Sequence, residues 1–371
     1  MSKKKCTGCG IELQGENPKL NGYLPTSVLD GKSKDLLCQR CFKIKNYGEY
    51  LPVEMTKDDY REEVRKSLVG VDVALPVFDI IDFEGSFDDE ILDILREMDS
   101  IIVINKLDLI PDGKHPSEVA DWVKGRLGEE GISPLDVAIV SSKNGYGING
   151  ILKKVKHFYP NGAKALILGA TNVGKSSIIN KLTGTKKGTV SKFPGTTLKS
   201  VETEIPYTKI TVIDTPGLIP EGRFSDFVCQ ECNQSLIPAN EISRKTFKVQ
   251  KDRVILMGGM VKLRILNDDE LTPIFSLYAS KDVMFHETNM EKAEELLQKD
   301  GFLTPPCEKC KDAFDKIEKK SKIYTVNQGE ELVFKGLGWL SVKRGPLSVE
   351  VYAPKDGEII IRDAFIKPKR K

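Results

Sequence analysis

Gly169-Ala-Thr-Asn-Val-Gly-Lys-Ser176 has the spacing G-x-x-x-x-G-K-[ST]. It follows the apolar run Ala165-Leu-Ile-Leu168, which reads as a strand, and opens a segment predicted as a helix from Lys175 to Leu182. In that setting the glycines let the backbone wrap an anion, and successive N–H groups form a nest for phosphate oxygens. The helix adds the positive end of its dipole. Lys175 is placed to meet β- and γ-phosphates, and the Ser176 hydroxyl to ligate Mg2+. Gly169, Thr171, Asn172, Val173, Gly174 and Ser177 complete the expected phosphate-binding backbone.

Working outward, short apolar runs alternate with amphipathic stretches. Predicted strands cover Val71–Ile81, Ile101–Ile104, Val137–Val140, Ala165–Leu168 and two more near 201–205 and 209–213. Helices are predicted over Lys57–Leu68, Asp88–Met98, Ser117–Leu127 and Ile148–Phe158. This alternation predicts an α/β domain with a parallel sheet, ending near residue 220. Beyond it the pattern changes. Runs at Val254–Met257, Val261–Leu266, Ile274–Tyr278, Glu331–Phe334, Trp339–Lys343, Ser348–Tyr352 and Glu358–Ile361, with a helix over Met290–Lys299, predict an α+β or mostly β domain. The expected division is 1–50, 51–220 and 221–371.

Asn105-Lys-Leu-Asp108 ends the second strand, at the edge where open α/β sheets bind ligands. A carboxylate at Asp108 can accept two hydrogen bonds from the N1–H and exocyclic amine of guanine. Adenine has no matching pair of donors and would leave that carboxylate unpaired. Asn105 can tie this loop to the phosphate loop, and the Lys106 stem can cover the base. Ser141-Ser142-Lys143 after the next strand suits backbone contact with the guanine oxygen. Asp214-Thr-Pro-Gly217 ends a further strand: Asp214 fits a water-mediated Mg2+ contact and the Gly217 N–H fits a γ-phosphate. Between these lies Phe193-Pro-Gly-Thr-Thr197, whose Thr197, or alternatively Thr196, would complete the Mg2+ shell.

In this order the motifs resemble those of a circularly permuted GTPase, because ordinary members place base recognition last. With four cysteines near the N-terminus and Lys335-Gly-Leu-Gly-Trp339 near the C-terminus, the chain resembles the YqeH-like family. The resemblance implies GTP hydrolysis, GTP/GDP and Mg2+ as ligands, and a partner in the small ribosomal subunit precursor and its rRNA. The residue after Gly217 is Leu218, which cannot orient an attacking water as the Gln of many regulatory GTPases does, so intrinsic turnover should be slow. Asn172 resembles the Asn of cation-dependent GTPases and suggests stimulation by K+. Lys175, Asn172 and Thr197 are thus the residues expected to act in hydrolysis. A second reading remains open: an RNA-binding module whose nucleotide barely turns over.

All eight cysteines fall into four C-x-x-C pairs. Cys6/Cys9 and Cys38/Cys41, 28 residues apart, have the spacing of a zinc ribbon. Cys229/Cys232 and Cys307/Cys310 are 74 residues apart and suggest a second structural zinc; the alternative is four unligated thiols. Basic residues near the first set (Lys3–Lys5, Arg40, Lys43, Lys45) would face RNA phosphates or solvent. So would the tail from Lys367 to Lys371. Lys335, Trp339, Lys343 and Arg344 are candidates for RNA contact, although a Trp in a strand is more often a core residue and that reading is preferred for Trp339.

Composition constrains less. The 371 residues are 40% hydrophobic and 30% charged, which excludes a disordered or collagen-like chain. Lys plus Arg (56) against Asp plus Glu (54) leaves a formal charge of +2, uninformative about nucleic acid by itself. No run is apolar enough to span a bilayer, and Met1–Lys5 leads into Cys6 without an apolar segment. The expectation is a cytoplasmic monomer with no membrane partner.

Overall fold

The computed structural model describes residues 4–18, 20–30, 36–47, 56–110, 115–184, 198–238, 241–268 and 272–365. They fall into two compact units: the chain up to Asp108 with His115–Pro220, and the chain from Glu221 with Leu109 and Ile110.

In the first unit, α1 (Thr26–Leu29) and α2 (Gln39–Tyr47) belong to the cysteine segment and α3 (Lys57–Ser67) follows. A capping box between Thr56 and Asp59 starts α3. Then come β1 (Val73–Asp79), α4 (Phe83–Ser86), α5 (Asp89–Glu97), β2 (Ile101–Asn105), α6 (Pro116–Glu129), β3 (Asp136–Ile139), α7 (Ile148–Phe158), β4 (Ala163–Leu168), α8 (Lys175–Thr183), β5 (Val201–Glu204) and β6 (Ile210–Asp214). The six strands lie in the order β3-β2-β1-β4-β6-β5. All neighbours are parallel except β5 and β6. Every residue of β1 and β2 is buried, because helices cover both faces of a sheet linked by crossovers. In α7, Ile148, Ile151 and Val155 form the buried stripe at helical spacing.

This strand order places the site. From β1 the chain moves outward to β2 and β3; it then returns to β4 on the other side of β1 and continues to β6. The reversal lies between β1 and β4, the point at which open α/β sheets bind ligands beyond the carboxyl ends of their strands. Asn105, Ser141, Gly169 and Asp214 follow or end β2, β3, β4 and β6, so parallel pairing brings them to one edge.

The cysteine segment has a small core of its own, with Leu13, Leu24 and Leu36 packed around Cys6, Cys9, Cys38 and Cys41. Leu198, just before β5, joins that core. The Cys9 carbonyl accepts the N–H groups of Leu198 (2.9 Å) and Lys199 (3.0 Å).

In the second unit the elements are α9 (Gln230–Leu236), β7 (Ile242–Lys248), β8 (Val254–Met257), β9 (Val261–Ile265), β10 (Ile274–Ser280), β11 (Phe285–Thr288), α10 (Met290–Gln298), α11 (Glu308–Asp315), β12 (Lys319–Val326), β13 (Glu330–Phe334), β14 (Gly338–Arg344), β15 (Leu347–Pro354) and β16 (Ile359–Asp363). They form two five-stranded antiparallel sheets, β16-β13-β14-β10-β7 and β11-β8-β9-β15-β12. The inner faces share one core containing Ile255, Leu263, Phe275, Leu277, Phe334 and Val349. The mostly-strand expectation for this region holds, and three strands beyond those predicted, β7, β11 and β12, are present.

Candidate functional site

The phosphate loop leaves β4 at Gly169, whose φ of +150° and close approach to the Val77 carbonyl (2.5 Å from an added Cβ) admit no side chain. Gly174, at φ +100°, leads into α8; a Cβ there would lie 2.2 Å from the Asn105 amide nitrogen. Asn172 also has a left-handed backbone (φ +66°), a conformation that Asn tolerates better than most residues. Lys175 is the first residue of α8 and is buried. Its ammonium donates to the carbonyls of Gly169 (2.8 Å) and Ala170 (3.1 Å). Burial pushes its pKa down to about 8, against the pull of the Asp214 carboxylate.

The base-side loop is joined to this one directly. The Asn105 amide donates to the Val173 carbonyl (2.7 Å) and to Ser142 Oγ (3.1 Å), and its oxygen accepts the Ser142 N–H (2.9 Å). One side chain therefore links the loops after β2, β3 and β4. Asp108 stands in a single 3-10 turn, Leu107–Leu109, where its carboxylate accepts the Ser141 hydroxyl at 2.5 Å. Lys106 has φ +68° and pairs with the Asp79 carboxylate. Lys143 is exposed in the next loop.

Asp214 ends β6 directly beside Ile167 of β4, and Ser176 stands in the first turn of α8, at the far end of the loop that leaves β4. A hydroxyl and a carboxylate are the hard oxygen donors that Mg2+ takes, and the pair fits that ion. Gly217 packs against Thr171 and Lys175; an added Cβ would lie 2.9 Å from the Thr171 methyl and 3.2 Å from the Lys175 ammonium. Leu218 is buried, and its backbone pairs with the phosphate loop through Thr171 N–H to Leu218 O (2.7 Å) and Leu218 N–H to Gly169 O (3.2 Å). Thr196 and Thr197 lie outside the described residues, as do Lys3 and the tail Lys367–Lys371.

Sequence reasoning missed Asp79. It ends an apolar strand at the carboxyl edge, as Asn105 and Asp214 do, and that placement was the available signal. It also missed the structural use of Leu218, whose main chain, not its side chain, meets the loop.

Both cysteine quartets converge, each with its four Sγ atoms within 4.8 Å of one another, and each could hold a metal ion. Four thiolates about 2.3 Å from a tetrahedral zinc stand about 3.8 Å apart. Cys9 and Cys38 are separated by 3.8 Å, and Cys6 Sγ accepts the N–H groups of Gly8 (3.4 Å) and Cys38 (3.2 Å). All four thiols of this quartet are buried, so the donor set and spacing fit a closed zinc site.

Three residues considered for RNA contact are buried; for Lys335 and Arg40 this corrects the expectation, and for Trp339 it is the core position the sequence favoured. Trp339 is core, 2% exposed and stacked on Tyr278 with centroids 4.9 Å apart, so no base can stack on it. Lys335 is buried and paired with Glu358 at 2.8 Å. Arg40, between Cys38 and Cys41 in the chain, is buried, whereas Lys4 and Lys5 are exposed. Lys43 and Lys343 are half-buried, Arg344 is exposed, and the Lys45 side chain lies outside the description.

Comparison with known proteins adds the following. A family model described as "50S ribosome-binding GTPase" matches residues 164–259, and one described as "YqeH-like, C-terminal" matches residues 273–365. The chain is 31% identical over 374 residues to the "Uncharacterized protein YqeH" of Bacillus subtilis, covering 99% of this chain and 100% of that one. It is 25% identical to "NO-associated protein 1, chloroplastic/mitochondrial" of Arabidopsis thaliana over 91% of this chain and 69% of that one. To "GTPase Der" of Caldanaerobacter subterraneus it is 30% identical over 48% of this chain and 41% of the other. The solved structure of GDP-bound YlqF covers 47% of this chain and 66% of its own at 22% identity and a TM-score of 0.30, a likeness too slight to bear on the fold. No helix among the described residues is long and apolar enough to cross a membrane.

Proposed function

The chain belongs to the YqeH family of circularly permuted GTPases, and from that premise we propose that it is a nucleotide-dependent switch acting on a ribosomal subunit precursor. By family likeness that precursor is the small subunit, and the reading also has the protein acting as a monomer in the cytoplasm. The observation that carries the nucleotide reading is the Asn105 side chain, which binds the base loop to the phosphate loop at Val173.

In this reading Asp108 recognises guanine, Lys106 covers it, and Ser141 to Lys143 offer backbone to its oxygen. Lys175 and the N–H groups of Gly169 to Ser177 bind the phosphates, with Gly217 reporting the γ-phosphate. Ser176, Asp214 and Thr197 would hold Mg2+, which when bound neutralises charge on the β- and γ-phosphates. Before phosphate arrives, Lys175 is satisfied by two loop carbonyls. Binding exchanges those partners for anionic oxygens with little movement of the lysine stem. Asn172 would contribute to a K+ site that adds positive charge in the transition state. Cys6, Cys9, Cys38 and Cys41 would bind one structural zinc.

The test of the switch is co-sedimentation of the protein with purified small and large ribosomal subunits, in GDP and in a non-hydrolysable GTP analogue. Nucleotide-dependent association with the small subunit is the expected result. Equal association in both states, or preference for the large subunit, contradicts the proposal. The buried Leu218 supports a second reading, an RNA-binding module with negligible turnover. Single-turnover hydrolysis with and without small-subunit RNA separates the two.

A further inference from the structure

The nucleotide site uses none of Cys229, Cys232, Cys307 and Cys310, which lie in the strand-rich unit. We propose that these four residues bind one structural Zn2+ in a closed site of four thiolates, distinct from the quartet near the N-terminus.

The distances carry the assignment. Cys229 and Cys307 sulfurs are 3.6 Å apart, Cys307 and Cys310 are 3.8 Å, and Cys232 and Cys310 are 3.8 Å. These are the edges of a tetrahedron with zinc–sulfur bonds of about 2.3 Å, whose edge is about 3.8 Å. A disulfide would bring two sulfurs to about 2.05 Å, and all four residues are free thiols.

The backbone is arranged for the same purpose. Cys229 is the N-cap of α9 (φ −64°, ψ 163°) and Cys307 the N-cap of α11 (φ −85°, ψ 169°). Each pair is therefore one extended cysteine followed by a second in the first helical turn. Two similar knuckles face each other, and the Cys307 N–H donates to Cys232 Sγ at 3.3 Å. The residues between the cysteines also meet: Lys309 pairs with both oxygens of Glu231 at 2.8 Å. Four soft thiolates at tetrahedral spacing select zinc over the hard cations that oxygen donors take. No fifth position is left open, so the site is structural.

Its work is local. Helix α9 has 7 residues and α11 has 8, and each buries one cysteine and one large apolar side chain (Leu236 and Phe314). Helices this short do not hold themselves in water. The ion would fasten both to the same point and so close the segment from Cys232 to Cys307. That would fix α9, the first α-helix of the strand-rich unit, to α11, the helix preceding β12.

The test is metal analysis of the full-length protein together with Cys229→Ser/Cys307→Ser and Cys6→Ser/Cys38→Ser variants. Two zinc per chain in the parent and one in each double variant is the expected result, with GTP binding unchanged in Cys229→Ser/Cys307→Ser. One zinc per chain in the parent, lost with Cys6→Ser/Cys38→Ser, overturns the proposal, as does iron in the second quartet. If the second-quartet variant aggregates, alkylation of the native parent decides. Protection of all four cysteines until a chelator is added supports the site; modification of Cys229 and Cys307 without chelator refutes it.

Discussion

Lys175 is the residue whose setting most asks for an anion. Burial lowers its pKa from 10.5 to about 8, because a desolvated ammonium is disfavoured relative to the neutral amine. Phosphate raises the pKa again, so binding above pH 8 must take up a proton, and affinity must fall as pH rises from 8. Calorimetry at about pH 8.5 in two buffers of different ionisation enthalpy should show fractional proton uptake. Lys175→Ala should bind weakly and take up none through this group. Asp108→Asn should weaken GTP binding by about 100-fold or more and narrow the preference for GTP over ATP, because an amide cannot accept both guanine donors; competition binding measures this. Asn172 has two explanations, its left-handed φ of +66° and a role as K+ ligand. Asn172→Gly separates them, since glycine keeps the backbone and loses the amide. We expect hydrolysis in Asn172→Gly to be equal in K+ and Na+; a retained K+ preference would leave only the backbone role.

Among the elements, the parallel sheet was legible because buried strands such as β2 are apolar along their length, Ile101 to Ile104, before the polar residue at the carboxyl end. The strands that escaped sequence reading, β7, β11 and β12, are all at sheet edges. Ser243-Arg-Lys-Thr246 and Lys319-Lys-Ser-Lys322 are polar runs that borrow their extended form from a neighbouring strand and leave a face in water. The short helices α9 and α11 escaped for a related reason: each buries only one cysteine and one large apolar side chain, too few to show a helical period. The segment entering β5 was equally opaque. Glu63 of α3, buried, accepts the Ser200 N–H (2.8 Å) and pairs with Lys199 (2.9 Å). Burial raises the pKa of its carboxyl, but Ser200 and Lys199 more than reverse this and hold it below the usual glutamate range. The resulting stabilisation is present above the unfolded-state pKa and lost as pH falls toward the folded one. Glu63→Gln should cost about 1 kcal/mol at neutral pH and progressively less in acid, read from thermal melts at both.

At the level of the whole molecule, the permuted order has a consequence for the chain's path. The motif Asp214–Gly217, proposed to report the γ-phosphate, ends only four residues before Glu221, where the strand-rich unit begins. Ordinary motif order would put the base-recognition loops at that exit. Hydrogen exchange over 218–238 should therefore differ between GDP and a non-hydrolysable GTP analogue; identical protection would disconnect the exit segment from nucleotide state. Most of the proposed nucleotide site was legible because nearly every motif is a short contiguous run after an apolar strand. Asp79 and the main-chain pairing of Leu218 were not, because each depends on a partner distant in sequence.

The nucleotide reading is tested most directly by a structure of the complex with Mg2+ and a non-hydrolysable GTP analogue. We expect the Asp108 carboxylate on the guanine N1–H and amine, and the Lys175 ammonium on the β- and γ-phosphates of the same molecule. A nucleotide that engages Lys175 while Asp108 stays bonded to Ser141 and away from the base, or one bound elsewhere, would contradict it.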